Sequence, residues 1–125
     1  MDQFFALFET TSWNDKYHVS PADLARAAAN SQYMVSAYDD EKLVGFGRVV
    51  TDGVLHAMIY EMIVHPEYQS QGIGTQILHM LVQWCDEVHI RDIQLFCARG
   101  KKSFYEENGF VTRPDDAPGM QYRRD

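Results

Sequence analysis

Val64-His65-Pro66-Glu67-Tyr68-Gln69-Ser70-Gln71-Gly72-Ile73-Gly74-Thr75 is the stretch that decides how this chain is read. An apolar run ends at Pro66, a polar loop follows, and two glycines open a segment with a different period. From there Ile73, Ile77, Leu78, Leu81, Val82 and Cys85 recur at the spacing of one buried helical stripe. The unit is therefore strand, loop, amphipathic helix. The first N–H groups of such a helix have no internal partners, and its dipole favours negative charge. Glycine also lets a ligand come close to the backbone, so the segment is a candidate site for a pyrophosphate. The same glycines would equally serve a plain turn.

Working outward, Val54 to Val64 reads as a long strand preceding this loop. Before it, Gln32 to Tyr38 and Leu43 to Val50 read as two more strands, joined through Asp39-Asp40-Glu41-Lys42. Ser20-Pro21-Ala22-Asp23 starts a helix that runs to Ala29: serine caps, proline suits the first position and Asp23 opposes the dipole. Phe4, Leu7 and Phe8 fall at helical spacing within the first ten residues, although Phe4-Phe5-Ala6-Leu7-Phe8 also suits a strand. After the central helix come a strand from Asp92 to Cys97 and a short helix from Lys101 to Asn108, stopped by Gly109. Phe110 to Thr112 and Met120 to Tyr122 read as final strands. This order predicts one domain of α/β or layered α+β type, with helices flanking a mixed sheet.

The composition bounds the function. Eighteen acidic residues against eleven Lys and Arg give a formal net charge of −7. An acidic chain is a poor ligand for a phosphate backbone, so no nucleic-acid partner is expected and a cationic substrate suits it better. Seven tyrosines, seven phenylalanines and two tryptophans support a packed core. Cys85 and Cys97 have neither disulfide-framework nor metal-ligand spacing, and His18, His79 and His89 have none among themselves, so no metal is expected. The N-terminus has no basic region followed by a long apolar run. Tyr68 to Cys85 is uncharged but broken by glutamines, a serine, a threonine and a histidine, so no membrane span is expected. A cytoplasmic location follows.

Known phosphate loops do not fit the decisive stretch. It lacks the Gly-Lys-Thr or Gly-Lys-Ser of a P-loop, and position 77 is Ile where a dinucleotide fingerprint needs its third glycine. Gln69-x-x-Gly72-x-Gly74 after an apolar strand ending in Val-x-Pro instead resembles the coenzyme A signature of the GNAT superfamily of N-acetyltransferases. Phe104-Tyr105-Glu106-Glu107-Asn108-Gly109-Phe110 resembles the Phe-Tyr-x-x-x-Gly-Phe segment near the end of that family's domain. The likeness is good over residues 32 to 112 and looser before them.

The resemblance implies a mostly antiparallel mixed sheet splayed between the family's fourth and fifth strands, matched here by Leu55 to Val64 and Asp92 to Cys97. It implies acetyl-CoA as co-substrate, with the pantetheine arm along Met62, Ile63 and Val64. Backbone groups of Met62 and Val64 would pair with that arm, and the Met62 N–H would polarise the thioester carbonyl. Gln69, Ser70, Gln71, Gly72, Ile73, Gly74 and Thr75 would wrap the pyrophosphate, and Phe104 would wall the pantetheine slot or belong to the core. Tyr105 matches the tyrosine that protonates the departing thiolate; the competing reading is an aromatic packed between helix and sheet. The family's first strand normally precedes its first helix, whereas this sequence opens near that helix. A homodimer is expected from the family's habit and from the apolar Phe4 to Phe8 segment.

Glu61, a carboxylate in the otherwise apolar run Ile59 to Ile63, is the candidate base for the attacking amine. It could instead hold the substrate's ammonium, or pair with Arg48. Cys97 is read as a small core residue rather than an acyl carrier, and His56 and His65 as surface or structural residues. Arg99, Lys101 and Lys102 could meet a 3′-phosphate or simply be a solvated helix start. The function expected is transfer of an acetyl group from acetyl-CoA to a primary amine of a small molecule, directly in a ternary complex. Acetylation of a protein N-terminus or lysine, and a non-catalytic acyl-CoA-binding module, are the alternatives.

Overall fold

The computed structural model describes residues 2–124; Met1 and Asp125 lie outside it. Its elements run α1 (Gln3–Glu9), α2 (Asn14–Tyr17), α3 (Pro21–Ala29), β1 (Tyr33–Asp39), β2 (Lys42–Thr51) and β3 (His56–Val64). A 3-10 turn (Pro66–Tyr68) follows, then α4 (Ile73–Glu87), β4 (Asp92–Leu95) and α5 (Lys102–Glu107). The chain divides into two compact units, one up to Leu95 and one from Phe96 onward. No helix among the described residues is long and apolar enough to cross a membrane.

The first unit carries a four-stranded sheet in the order β1-β2-β3-β4. β1, β2 and β3 form an antiparallel meander, and α4 is the crossover to β4, which pairs parallel with β3. Phe46 turns to one face and packs with Leu7 and Phe8 of α1, Leu24 of α3, Leu43 and Ile63. Its neighbours Gly45 and Gly47 turn to the other face, where α4 lies. A Cβ on Gly47 would sit 2.8 Å from Leu81 Cδ1 and 3.0 Å from Ile77 Cγ2, so glycine here sets how closely α4 approaches the sheet. The stripe read from the sequence is the buried one: Ile77, Leu78, Leu81 and Cys85 are all buried.

Phe4 to Phe8 is helical. Asp2 Oδ1 accepts the Phe5 N–H at 3.0 Å and caps α1, while Leu7 and Phe8 are buried and Phe4 and Phe5 pack against the same cluster. That burial removes the exposed apolar surface on which the expected homodimer partly rested. The Ser20 start of α3 is a full capping box: the Ser20 side chain accepts the Asp23 N–H, and the Asp23 carboxylate accepts the Ser20 N–H. α2 was not anticipated; it has no side-chain cap and ends on His18 at φ 55.

The expected strand Val54 to Val64 begins two residues later, at His56. Asp52 Oδ1 takes the N–H groups of Val54 at 2.8 Å, Leu55 at 2.7 Å and His56 at 3.2 Å, which holds the turn out of the ladder. β4 stops at Leu95 rather than Cys97. Phe110 to Thr112 and Met120 to Tyr122 are not strands. In the second unit the Phe110 N–H goes to the Tyr105 carbonyl in the helix stop, and a turn closes through Ala117 N–H to Pro114 O and Arg113 Nε to Ala117 O. Val111 and Met120 are 88% and 84% exposed, so neither segment buries an apolar face against the sheet.

Candidate active site

The start of α4 is built to leave donors free. Gly72 is the N-cap at φ 87, with no side-chain cap, and the first turn holds no acidic residue. The first bond within the helix runs from the Gln76 N–H to the Gly72 carbonyl at 3.1 Å, so the N–H groups of Ile73, Gly74 and Thr75 have no helical carbonyl to meet. A Cβ at position 72 would touch nothing within 4 Å; the left-handed backbone, not crowding, is what asks for glycine. The loop before it is pinned at both ends. Tyr68 Oη donates to Asp39 Oδ2 at 2.7 Å, which raises the phenol's pKa, and His65 Nδ1 accepts the Glu67 N–H at 3.1 Å. Gln69, Ser70, Gln71 and Gly72 are exposed, and Ser70 is itself left-handed at φ 65. Oriented donors at a positive dipole end, with no acidic residue in the first turn, fit a pyrophosphate.

The neighbouring edge belongs to β3. Its parallel pairing with β4 ends at Ile59 and Leu95, whereas β3 runs on to Val64. β2 pairs along that last stretch on one side, and on the β4 side no strand of the described sheet continues. A bulge sits within it: Arg48 pairs with Tyr60 and Phe46 with Ile63, so Gly47 faces both Glu61 and Met62. Glu61 takes the extra place in a left-handed conformation, φ 49. The His65 N–H bonds the Val44 carbonyl at 2.8 Å, and alternation then aims Ile63 at Phe46 and Val64 outward. The Val64 carbonyl receives Gln69 Nε2 at 3.0 Å, which leaves the N–H as the group Val64 offers. The Ile63 side chain is buried in the core and the residue pairs with Phe46 of β2.

Glu61 does not stand alone. Its Oε1 accepts Arg48 Nε at 2.6 Å, with the two side chains only 14% and 19% exposed for Arg48 and Glu61. This is the pairing alternative named for it. Sequence reasoning missed the bulge, because glutamate carries no signal for a left-handed site.

In the second unit, Tyr105 is buried, edge-on to Phe104 at 5.0 Å and to Phe110 at 5.9 Å between ring centroids. Desolvation first, and Cys97 second, push its pKa up to about 12. The phenol is therefore neutral and bears its proton throughout the physiological range. Phe104 is half-buried beside it. Cys97 is exposed and lies beyond the end of β4, not in the core. Arg99, Lys101 and Lys102 are exposed.

A family model described as the acetyltransferase (GNAT) family matches residues 1–110. The chain belongs to the GNAT family. Among GNAT relatives, an uncharacterised N-acetyltransferase ycf52 of Pyropia yezoensis is 35% identical over 98 residues, covering 75% of this chain and 56% of the relative. A histone acetyltransferase TAP1 of Glycine max is 29% identical over 108 residues, covering 78% of this chain and 47% of the relative. The chain spans about half the length of the curated relatives it matches. Among solved structures, the GNAT protein SP0256 of Streptococcus pneumoniae superposes with a TM-score of 0.80 at 24% identity, over 98% of this chain and 89% of that one. That likeness places the sheet and its flanking helices among GNAT folds.

Proposed function

We propose that this protein transfers an acetyl group from acetyl-CoA to a primary amine of a small molecule, directly and within a ternary complex. The observation that carries the reading is the uncapped, acid-free start of α4 together with a length of β3 that has no strand on its β4 side. The pyrophosphate is taken by the N–H groups of Ile73, Gly74 and Thr75, and the pantetheine arm by backbone groups of Met62 and Val64. When bound, acetyl-CoA supplies the activated thioester. The Met62 N–H donates to its carbonyl oxygen, where negative charge develops as the amine attacks.

We assign Glu61 to the incoming amine, as the holder of its ammonium or as the acceptor of its proton. Glu61→Gln separates the two: a raised KM for the amine with kcat kept marks the holder, and a lowered kcat marks the acceptor. Tyr105 serves the leaving thiolate. With its pKa up to about 12, against about 8.5 for an ordinary thiol, it is the weaker acid of the two. Its contribution is a hydrogen bond to the developing thiolate, which leaves as the anion while the phenol keeps its proton. The two cysteines are free, which suits the reducing cytoplasm.

A second reading, a protein amine as acceptor, is favoured by the soybean relative named as a histone acetyltransferase. Thiol release from acetyl-CoA is the test, measured without acceptor, with small amines and with peptides bearing a free N-terminus or lysine. Release that depends on small amines supports the proposal, and release only with peptides supports the second reading. Tight binding with no acceptor-dependent release would make the protein an acyl-CoA-binding module.

A further inference from the structure

We infer that Arg48 is a positioning residue for acyl transfer: it ties the bulge of β3 to the end of α3 and so holds the Met62 N–H in place. This inference rests on the function proposed above. The guanidinium reaches β3, α3 and the connection that follows α3 at once. Its Nε donates to Glu61 Oε1 at 2.6 Å, and its Nη1 donates to the Ala27 carbonyl at 3.2 Å and to Ser31 Oγ at 3.1 Å. The Tyr60 ring lies 5.4 Å from its Cζ. Ala27 is in the last turn of α3, at the negative end of the helix dipole, and its carbonyl also accepts the Asn30 N–H at 3.1 Å.

The residue at the other end of this bridge is the unusual one. Glu61 holds φ 49 in the middle of a strand, a conformation that a residue with a Cβ keeps only when its surroundings impose it. The ladder leaves the place for it, since Tyr60 and Ile63 pair on either side while Gly47 alone faces Glu61 and Met62. The side-chain bond from Arg48 is the constraint on Glu61 itself. Releasing it would let β3 relax toward regular pairing with β2. A one-residue change of register there would turn the Met62 N–H from the open edge toward Gly47. Lysine cannot replace the fork, since one ammonium cannot keep the separate Nε and Nη1 directions.

The test compares wild type with Arg48→Met, Arg48→Lys, Glu61→Gln and the double variant Arg48→Met/Glu61→Gln. Two readouts are used: amide 1H–15N spectra of the ligand-free protein, and kcat with the acetyl-CoA dissociation constant. Arg48→Met is expected to move the amides of Glu61, Met62 and Ile63 while those of Ile73 to Thr75 stay put. Its kcat should fall by about tenfold or more with acetyl-CoA affinity changed less than about threefold, and Arg48→Lys should recover part of the rate. In the amide spectra the double variant should move residues 61 to 63 no further than Arg48→Met alone, since the bond is already lost there. Unmoved amides at 61 to 63, or an unchanged kcat in Arg48→Met, would overturn the inference. Should Arg48→Met not fold, Arg48→Lys carries the same comparison in both readouts. A wild-type protein without turnover would remove the proposed function instead, and the amide spectra would still decide whether Arg48 holds the bulge.

Discussion

Two helices of this chain begin in opposite ways. α3 opens on Ser20 and Asp23, which close a capping box and place a carboxylate in the first turn. α4 opens on Gly72, with no side-chain cap and no acid in its first turn. A cap contributes about 1 kcal/mol to a helix, so the bare start of the longest helix here forgoes stability that α3 keeps. The difference teaches that an N-terminus can be spent on structure or kept for a ligand. α3 does the first and α4 is suited to the second.

Giving α4 what α3 has is the harshest way to break the contrast. Gly72→Asp places a carboxylate beside the free donors and a Cβ at φ 87, so acetyl-CoA affinity should fall on the order of 100-fold or more, about 2.7 kcal/mol. Calorimetric titration of the folded variant checks it, and an unchanged affinity would end the pyrophosphate assignment. Tyr105→Phe sharpens the contrast by separating binding from chemistry. It keeps the ring and its packing but removes the proton, so kcat should drop about 100-fold while acetyl-CoA affinity hardly moves. A variant with full turnover would take Tyr105 out of the mechanism.

Gly47→Ala attacks the seat of α4 rather than its start. The new methyl would meet Leu81 Cδ1 at 2.8 Å and Met62 Sδ at 2.9 Å, and overpacking of this kind costs about 1–3 kcal/mol, read as a lower denaturation midpoint. Ser20→Ala is the mildest change: about 1 kcal/mol of stability lost, with acetyl-CoA affinity untouched. Its pH dependence has a definite sign. Asp23 is held below the ordinary carboxylate range by the Ser20 N–H first and the Ser20 hydroxyl next. Its stabilising effect is therefore complete above the ordinary carboxylate pKa and fades as pH falls through the lowered folded value. The stability gap between wild type and Ser20→Ala should narrow on acidification, as seen in denaturation midpoints across pH.

What the sequence revealed and what it hid divide along local and distant causes. The α3 box and the α4 stripe are written in residues a few positions apart, and both were legible. So was the loop from Gln69 to Thr75, whose two glycines mark it. The bulge at Glu61 was hidden, because it arises from the register between β2 and β3 and is fastened by Arg48, thirteen positions away. Gly45 and Gly47 read as ordinary strand residues until α4 is laid across them. The last strands were over-read: Phe110 to Thr112 and Met120 to Tyr122 have strand-forming residues, but neither buries an apolar face against the sheet. For the candidate site this means that the glycine-marked start of α4 was readable and the bulge of β3 was not.

Titration of acetyl-CoA into 15N-labelled protein, followed amide by amide, tests the central claim most directly. The account predicts saturable shifts that are largest at Gly72, Ile73, Gly74 and Thr75, with the first turn of α3, Ala22 to Leu24, unmoved. Saturating binding that leaves residues 72 to 75 where they were, or no binding at all, would contradict it.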